Sequence, residues 1–352
     1  MEVEFSFSSE KKHSRWKIFW LCFFVIFLIV ALQHTNIRTS KLFSPLPAKA
    51  NIMDLIRPKL QTKPSSFRLQ KRTQLISQSF ASAPFDEAVA YGVIDFDTGE
   101  VLAEKNLATK LSIASLTKVM TAIVALDLAK PTDVITVTKR ASKAAPSKIM
   151  LKPGEKIPLR DLLAATLLSS ANDAAKAIQD GIDVTYGELV FINAMNEKSR
   201  MLGLKNTHFT NPQGFDNLNH FSSVEDLAIL THYAMQNYPP LAELVGKDFA
   251  DITARHDKRF YLNNWNGLLG VYPGVQGVKI GNTEAAGKTT IVVATREGKG
   301  MLVLLLGAPG IVERDLWAAQ LLDLGFEKSI SLAPVAITKE QLRAKYKTWR
   351  YF

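Results

Sequence analysis

Ser115 and Lys118 stand three residues apart in "IASLTKVMT", a spacing with chemical meaning. A serine hydroxyl is a poor nucleophile until a base takes its proton, and a lysine one helical turn later presents its amine to the same face. Three residues of helical rise is only about 4.5 Å. Burial, a second cation and the positive end of a helix all favour the neutral amine, the form that accepts a proton. S-x-x-K occurs at Ser8/Lys11, Ser9/Lys12, Ser14/Lys17 and Ser115/Lys118. Only the last opens an apolar-periodic segment in the body of the chain. Taken alone it also reads as a helix-capping serine followed by a solvated lysine.

Two further groups follow in order. Ser170 and Asn172 form the S-x-N of "LLSSANDAA", in a break between apolar helical patterns, where a hydroxyl and an amide can project into a cleft; an ordinary capping turn is the bland reading. Lys279, Gly281 and Thr283 lie in "VKIGNT", a stretch with strand character. The surrounding "GVKIGNTEAAGKTT" also comes close to a phosphate-binding loop. Five residues separate Gly281 from Gly287 where four are required, and a β-branched run follows where a phosphate loop needs a helix N-terminus. The six histidines have no metal-ligand spacing, and there is no G-x-S-x-G nucleophile elbow, so neither a metal nor another cofactor is expected.

The elements that must hold these groups can be read from periodicity. "AVAYGVIDF", the turn "DTG" and "EVLAEKN" predict a hairpin. "SLTKVMTAIVALDLAK" has helical spacing of Leu116, Val119, Met120, Ile123 and Val124 and stops before Pro131. Helices follow around "PLRDLLAATLLSSANDAAKAIQDGI", "LVFINAMNEKSRMLGL" and "VEDLAILTHYAMQ". "GVQGVKIGNT", "KTTIVVATREG" and "KGMLVLLLGAP" predict three successive strands, and a closing helix is expected over residues 312–324, ended by Gly325. An early hairpin, central helices, late strands and a closing helix predict an α/β (α+β) class with a mainly antiparallel sheet covered by helices.

The ordered set Ser115/Lys118, Ser170/Asn172 and Lys279/Gly281 resembles the serine-type D-alanyl-D-alanine carboxypeptidases, the low-molecular-mass penicillin-binding proteins. "LGLKNTHFTNPQGFD", "SSVEDLA" and "NGLLGVYPGVQGVK" extend the resemblance over about residues 88–326. It implies a five-stranded sheet with a helical subdomain, of the β-lactamase and penicillin-binding-protein kind. It implies too that Ser115 attacks the carbonyl between two terminal D-alanines with Lys118 as base. Ser170 would relay a proton to the leaving amine and Asn172 would hold the substrate amide. Lys279, Gly281, Thr283 and Arg314 would form the substrate-binding side, and β-lactams would acylate Ser115. Ile280 stands where the family has a hydroxyl that binds the terminal carboxylate, and Trp265 where relatives have Thr or Arg; Arg314 and Thr283 are the candidates to compensate. A lost hydrogen bond to a charged group costs about 1.5–3 kcal/mol. Hence a weakly active or inactive wall-binding pseudoenzyme is the alternative. A β-lactamase fits less well, since no E-x-x-L-N deacylation element lies between Ser170 and Lys279.

Upstream, Ile18 to Leu32 is an uncharged run of fifteen residues, and extension to Ile37 reaches the length of a spanning helix. The chain is thus expected to have a cytoplasmic tail (1–17), a single-pass membrane anchor (18–37), a basic linker (38–85), a catalytic domain (86–328) outside the cytoplasmic membrane, and a basic aromatic tail (329–352). Residues 33–82 carry nine Lys or Arg against Asp54 alone, which accounts for most of the chain's net charge of +10. No aromatic interleaving points to nucleic acid; anionic lipid or wall polymer suits a basic stretch beside an anchor. Many relatives continue into a β-rich second domain, whereas "KEQLRAKYKTWRYF" reads as an interfacial membrane helix or a disordered tail. The only cysteine, Cys22, lies in the expected anchor, so the body needs no disulfide.

Overall fold

The computed structural model describes residues 52–60, 67–71, 83–253 and 259–349. The expected cytoplasmic tail and anchor lie outside the described residues. Among the described residues no helix is long and apolar enough to cross a membrane.

Ten strands are present in the described residues: β1 (Gln70–Lys71), β2 (Ala90–Asp95), β3 (Glu100–Lys105), β4 (Val134–Thr136), β5 (Lys156–Pro158), β6 (Phe249–Thr253), β7 (Arg259–Asn263), β8 (Val275–Thr283), β9 (Gly287–Arg296) and β10 (Lys299–Ala308). The main sheet has the order β1-β3-β2-β10-β9-β8. Five of these strands are antiparallel to their neighbours, as expected, and β1 adds a short parallel edge beside β3. The β2–β3 turn is held by Asp95 Oδ1, which accepts from the N–H groups of Asp97 and Thr98 at 3.0 Å each.

The late strands read as nearly continuous apolar runs because both faces of the sheet are covered. In β10, Leu302, Leu304 and Leu306 join one core, while Met301, Val303 and Leu305 join the other. The first core lies under the central helices, including Lys118–Leu128, Asn172–Tyr186 and Val224–Asn237. The second lies under the closing helix. That helix runs Ile311–Ile330, past the glycine expected to stop it. A Cβ on Gly325 would lie 2.7 Å from Met301 Sδ and 2.8 Å from Val93 Cγ1, so this glycine lets the helix sit close on the sheet.

Two expectations about the flanks need correction. Within the supposed linker, Ile56, Leu60 and Phe67 are buried in the first core, and Phe67 stacks on His232 with ring centroids 3.9 Å apart. Within the supposed tail, Thr338 caps the helix Lys339–Tyr346 through a capping box, and Leu342 is fully buried in the second core. Sparse apolar anchors among basic residues suffice to dock both segments.

Candidate active site

The nucleophile candidate sits in a tight turn rather than in the α-helix proper. Residues Ala114–Thr117 form a 3₁₀ turn, and the α-helix begins at Lys118. Ala114 is held at φ +48°, a left-handed conformation that costs a non-glycine residue about 1–3 kcal/mol. Two glycines pack against this turn. A Cβ on Gly281 of β8 would lie 3.0 Å from Ser115 N and 2.9 Å from Ala114 Cβ; one on Gly214 would lie 1.9 Å from Ala114 O. Bare backbone is therefore required on two sides of Ser115.

Lys118 is fully buried, and its Nζ lies 2.7 Å from Ser115 Oγ, 2.8 Å from Asn172 Oδ1 and 2.7 Å from Gln213 O. Burial, followed by the cation of Lys279, pushes its pKa well below the ordinary ammonium value. A neutral amine has two N–H groups and one lone pair. The two carbonyl oxygens only accept, so the lone pair is left for the serine hydroxyl, the one partner that can donate. The contact set is that of a base poised on its nucleophile.

Asn172 supplies one of those acceptors, and its Nδ2 donates to Ala145 O at 3.1 Å and Pro146 O at 2.9 Å. Its side chain is thus engaged at both ends, orienting Lys118 and one rim of the site. Asp173 holds the same rim by accepting from the N–H groups of Ile149 at 3.2 Å and Leu151 at 3.0 Å. Ser170, at φ +55°, occupies the connection between two helices and faces the cavity.

A further support escaped the sequence reading. His220 is buried, its Nε2 2.8 Å from Thr117 Oγ1, while its Nδ1 accepts from Thr210 N at 3.1 Å. Thr117 donates its own proton to Ala114 O at 2.9 Å, so the imidazole must carry its proton on Nε2. Burial pushes the His220 pKa down to about 4, with His208 adding to the shift, and keeps the ring neutral. Histidine here braces the nucleophile turn.

The opposite wall is cationic. Lys279 is buried on β8 and donates to Ile280 O at 3.1 Å. Burial, with the neighbouring Arg314 guanidinium second, pushes its pKa down to about 7. Arg314 is clamped by Asp315, Nε to Oδ1 at 2.7 Å and Nη2 to Oδ2 at 2.8 Å, and Tyr346 donates to the same Oδ2 at 2.8 Å. Among the described residues, the Nη1 edge of Arg314 makes no hydrogen bond within the protein. Thr283 lines the cavity, but its hydroxyl donates to Asp216 Oδ1 at 2.6 Å. Ile280 is on the cavity wall with no hydroxyl to offer, which leaves Arg314 the better-placed group to meet a carboxylate.

Ser115, Ser170, Asn172, Gly281, Thr283 and Arg314 line one cavity of about 450 Å³, with Lys118 and Lys279 buried beside it. All eight residues expected from the sequence are therefore gathered at one place. Gln213, Gly214, Phe215, Trp265 and Trp349 are among the further lining residues, and Trp349 lies in the segment read as a tail. Among the described residues no cluster of His, Cys, Asp or Glu could hold a metal ion.

Comparison with known proteins agrees with this geometry. A family profile described as D-alanyl-D-alanine carboxypeptidase matches residues 77–310. The chain is 34% identical over 272 residues to the D-alanyl-D-alanine carboxypeptidase DacF of Bacillus subtilis, covering 75% of this chain and 67% of that protein. It is 32% identical over 275 residues to DacC of Escherichia coli, with the same coverage of 75% and 67%. Among solved structures, the Streptomyces K15 DD-transpeptidase superposes with a TM-score of 0.63 at 30% identity, over 68% of this chain and 97% of that one. The carboxypeptidase DacD from Francisella tularensis gives a TM-score of 0.61 at 25% identity, over 68% of this chain and 70% of that one. With Ser115, Lys118 and a cationic wall assembled in one cleft, the chain belongs to the D-alanyl-D-alanine carboxypeptidase family and is a serine-type D,D-carboxypeptidase.

Proposed function

We propose that the protein trims peptidoglycan stem peptides through a Ser115 acyl-enzyme. The observation that carries this reading is the three-way contact of Lys118 Nζ with Ser115 Oγ, Asn172 Oδ1 and Gln213 O. Lys118 takes the hydroxyl proton as Ser115 Oγ attacks the penultimate D-alanine carbonyl. The Ser115 N–H and an N–H of β8 stabilise the oxyanion, a role worth about 10²–10³ in turnover per donor. The carbon–nitrogen bond then breaks, a proton reaches the leaving amine by way of Ser170, and D-alanine departs. Water hydrolyses the ester and restores Ser115. Until D-alanine departs, its terminal carboxylate lies toward Lys279 and Arg314.

β-Lactams present the same acyl carbon to the same serine and would stop at the ester. We place the enzyme outside the cytoplasmic membrane, held by the apolar run 18–37, where its substrate is found. A peptide ending in D-Ala-D-Ala should release D-alanine, and mass spectrometry after labelled penicillin should show one adduct, on the peptide that contains Ser115. A full-length protein that takes the label but releases no D-alanine until Ile280 is changed to Thr would be a pseudoenzyme; no adduct at Ser115 would defeat the mechanism.

The two buried lysines predict the pH dependence. In the free enzyme kcat/KM should fall as pH rises through about 7, where Lys279 loses its charge, and Lys279→Arg should carry this limb upward. The Lys279 cation lowers the Lys118 pKa. Removing it in Lys279→Met should therefore let that pKa rise and shift the acid limb to higher pH. A pH–rate profile of the three proteins checks both signs; an acid limb that stays in place in Lys279→Met contradicts the coupling.

A further inference from the structure

Among the described residues, Trp265 and Trp349 are the two that line both the catalytic cavity and a second cavity of about 340 Å³. The second cavity shares these two residues in its lining and carries two cations, Lys148 and Arg259, the latter 3.9 Å from Asp251. Which end of the substrate approaches this partition follows from charge. The terminal carboxylate of a D,D-peptide needs a cation, and Arg314, whose Nη2 also lies 3.4 Å from Trp265 O, is the cation on the catalytic cavity's wall. The leaving residue therefore lies on the Arg314 side of the catalytic cavity, beside Trp265, which also borders the second cavity.

Trp349 lies outside the stretch matched by the family profile, yet it is held in place by specific contacts. Its ring stacks on Tyr346, centroids 5.0 Å apart and planes 30° apart. Tyr346 in turn donates to Asp315 and fits where Gly267 has no side chain, since a Cβ there would lie 2.7 Å from Tyr346 Cε1. Lys345 pairs with Asp248, and Leu342 is fully buried. The indole is a wall fixed to the same Asp315 that clamps Arg314.

We propose that Trp349 is a specificity-determining wall that limits the leaving group to a single D-amino acid. The inference rests on the D,D-peptidase reading of Ser115. Hydrolysis of a terminal D-Ala-D-Ala bond and of a D,D cross-link form and break the same bonds. In both, Ser115 Oγ bonds to the carbonyl carbon, the carbon–nitrogen bond breaks, the amine gains a proton and water later frees the acid. They differ only in the leaving amine, which is D-alanine in one case and the diamino acid of a second stem peptide in the other. With the indole in place D-alanine fits, and the second peptide is shut out. Without it Trp265 alone borders both cavities, and the wider passage lets the carboxylates of that peptide reach toward Lys148 and Arg259.

The test uses the full-length protein with two substrates, a monomeric peptide ending in D-Ala-D-Ala and a D,D-cross-linked peptide dimer. Wild type should cleave the monomer in strong preference. Trp349→Ala should raise the dimer-to-monomer ratio of kcat/KM by about tenfold or more, the scale on which a pocket distinguishes leaving groups by size. Trp349→Phe should restore most of the wild-type ratio, and Trp349→Leu should fall between, so the series stays informative if the alanine variant does not fold. A ratio unchanged across the series, a parallel loss on both substrates, or a wild type that already cleaves the dimer as well as the monomer would overturn the wall. Labelled-penicillin uptake is read on every variant. Failure of wild type to acylate would strike the Ser115 reading instead.

Discussion

Alanine at Ser115 should lower D-alanine release by more than about 10⁴-fold, and alanine at Lys118 should lower it nearly as far, with the double variant no worse than Ser115→Ala. The non-additivity is the informative part. Lys118 has no route to the substrate other than through the hydroxyl 2.7 Å away, so once that hydroxyl is gone the amine has nothing to activate. Lys118→Ala also strips Asn172 Oδ1 and Gln213 O of a shared donor. Gln213 O keeps only the longer bond from Ser115 Oγ at 3.5 Å, and a buried acceptor left unpaired, as Asn172 Oδ1 would be, costs about 1–3 kcal/mol, so this variant should be measurably less stable than Ser115→Ala. D-Alanine release and a denaturation midpoint, taken on the three variants, check both statements. If the two losses multiply in the double variant, the pair does not work as a unit. If Ser115→Ala keeps more than a few per cent of the rate, another group is the nucleophile.

Gly214→Ala should also be damaging, although it removes no chemical group. Gly214 has φ +89°, and an added methyl would lie 1.9 Å from Ala114 O and 2.9 Å from Thr117 Oγ1. Backbone strain and overpacking together predict a loss of about 3–5 kcal/mol. Because the collision is with backbone, relief requires the Gln213–Gly214 segment or the Ser115 turn to move. Gln213 O then leaves Lys118, and acylation by labelled penicillin should slow by about 10² or more, since small misplacements of reacting groups cost rates on that scale. Gly203→Ala is the control. It has φ +74° with nothing within 4 Å of the added methyl, so only the conformational cost of about 1–2 kcal/mol should appear, with acylation unchanged. Urea denaturation and acylation rates of both variants decide; equal effects would mean that the close approach at Ala114 does not matter.

The candidate site was more legible than the surfaces around it. Ser115/Lys118, Ser170/Asn172 and Lys279/Gly281 are short, ordered and chemically distinctive, and periodicity placed the strands and most helices around them. Where the reading failed, one residue type served two purposes. Gly325 was taken as a helix stop, yet its missing side chain serves packing against Met301 and Val93, which lie far away in sequence. Ile56, Leu60 and Phe67 were hidden among the charges of a supposed linker, since a helical stretch as short as Ile52–Ile56 gives little local signal between basic residues and prolines. Trp349 was hidden in the same way. Its effect on the cavity depends on Tyr346 reaching Asp315, a contact that no sequence spacing announces. Asn172 was assigned to the substrate amide, and only its bonds to Lys118, Ala145 and Pro146 show how fully it is already engaged.

The pairing of β2 with β10 sets the order in which the enzyme can come into being. Val93 and Val303 are partners from segments about two hundred residues apart, and the sheet closes only when the last strands arrive. Such long-range pairing makes folding slow. During synthesis the nucleophile and its base emerge early, but β8, which packs against Ser115 and carries Lys279, follows some 160 residues later. The reactive serine therefore matures late. The centre is complete only after the early hairpin and the late strands have been joined.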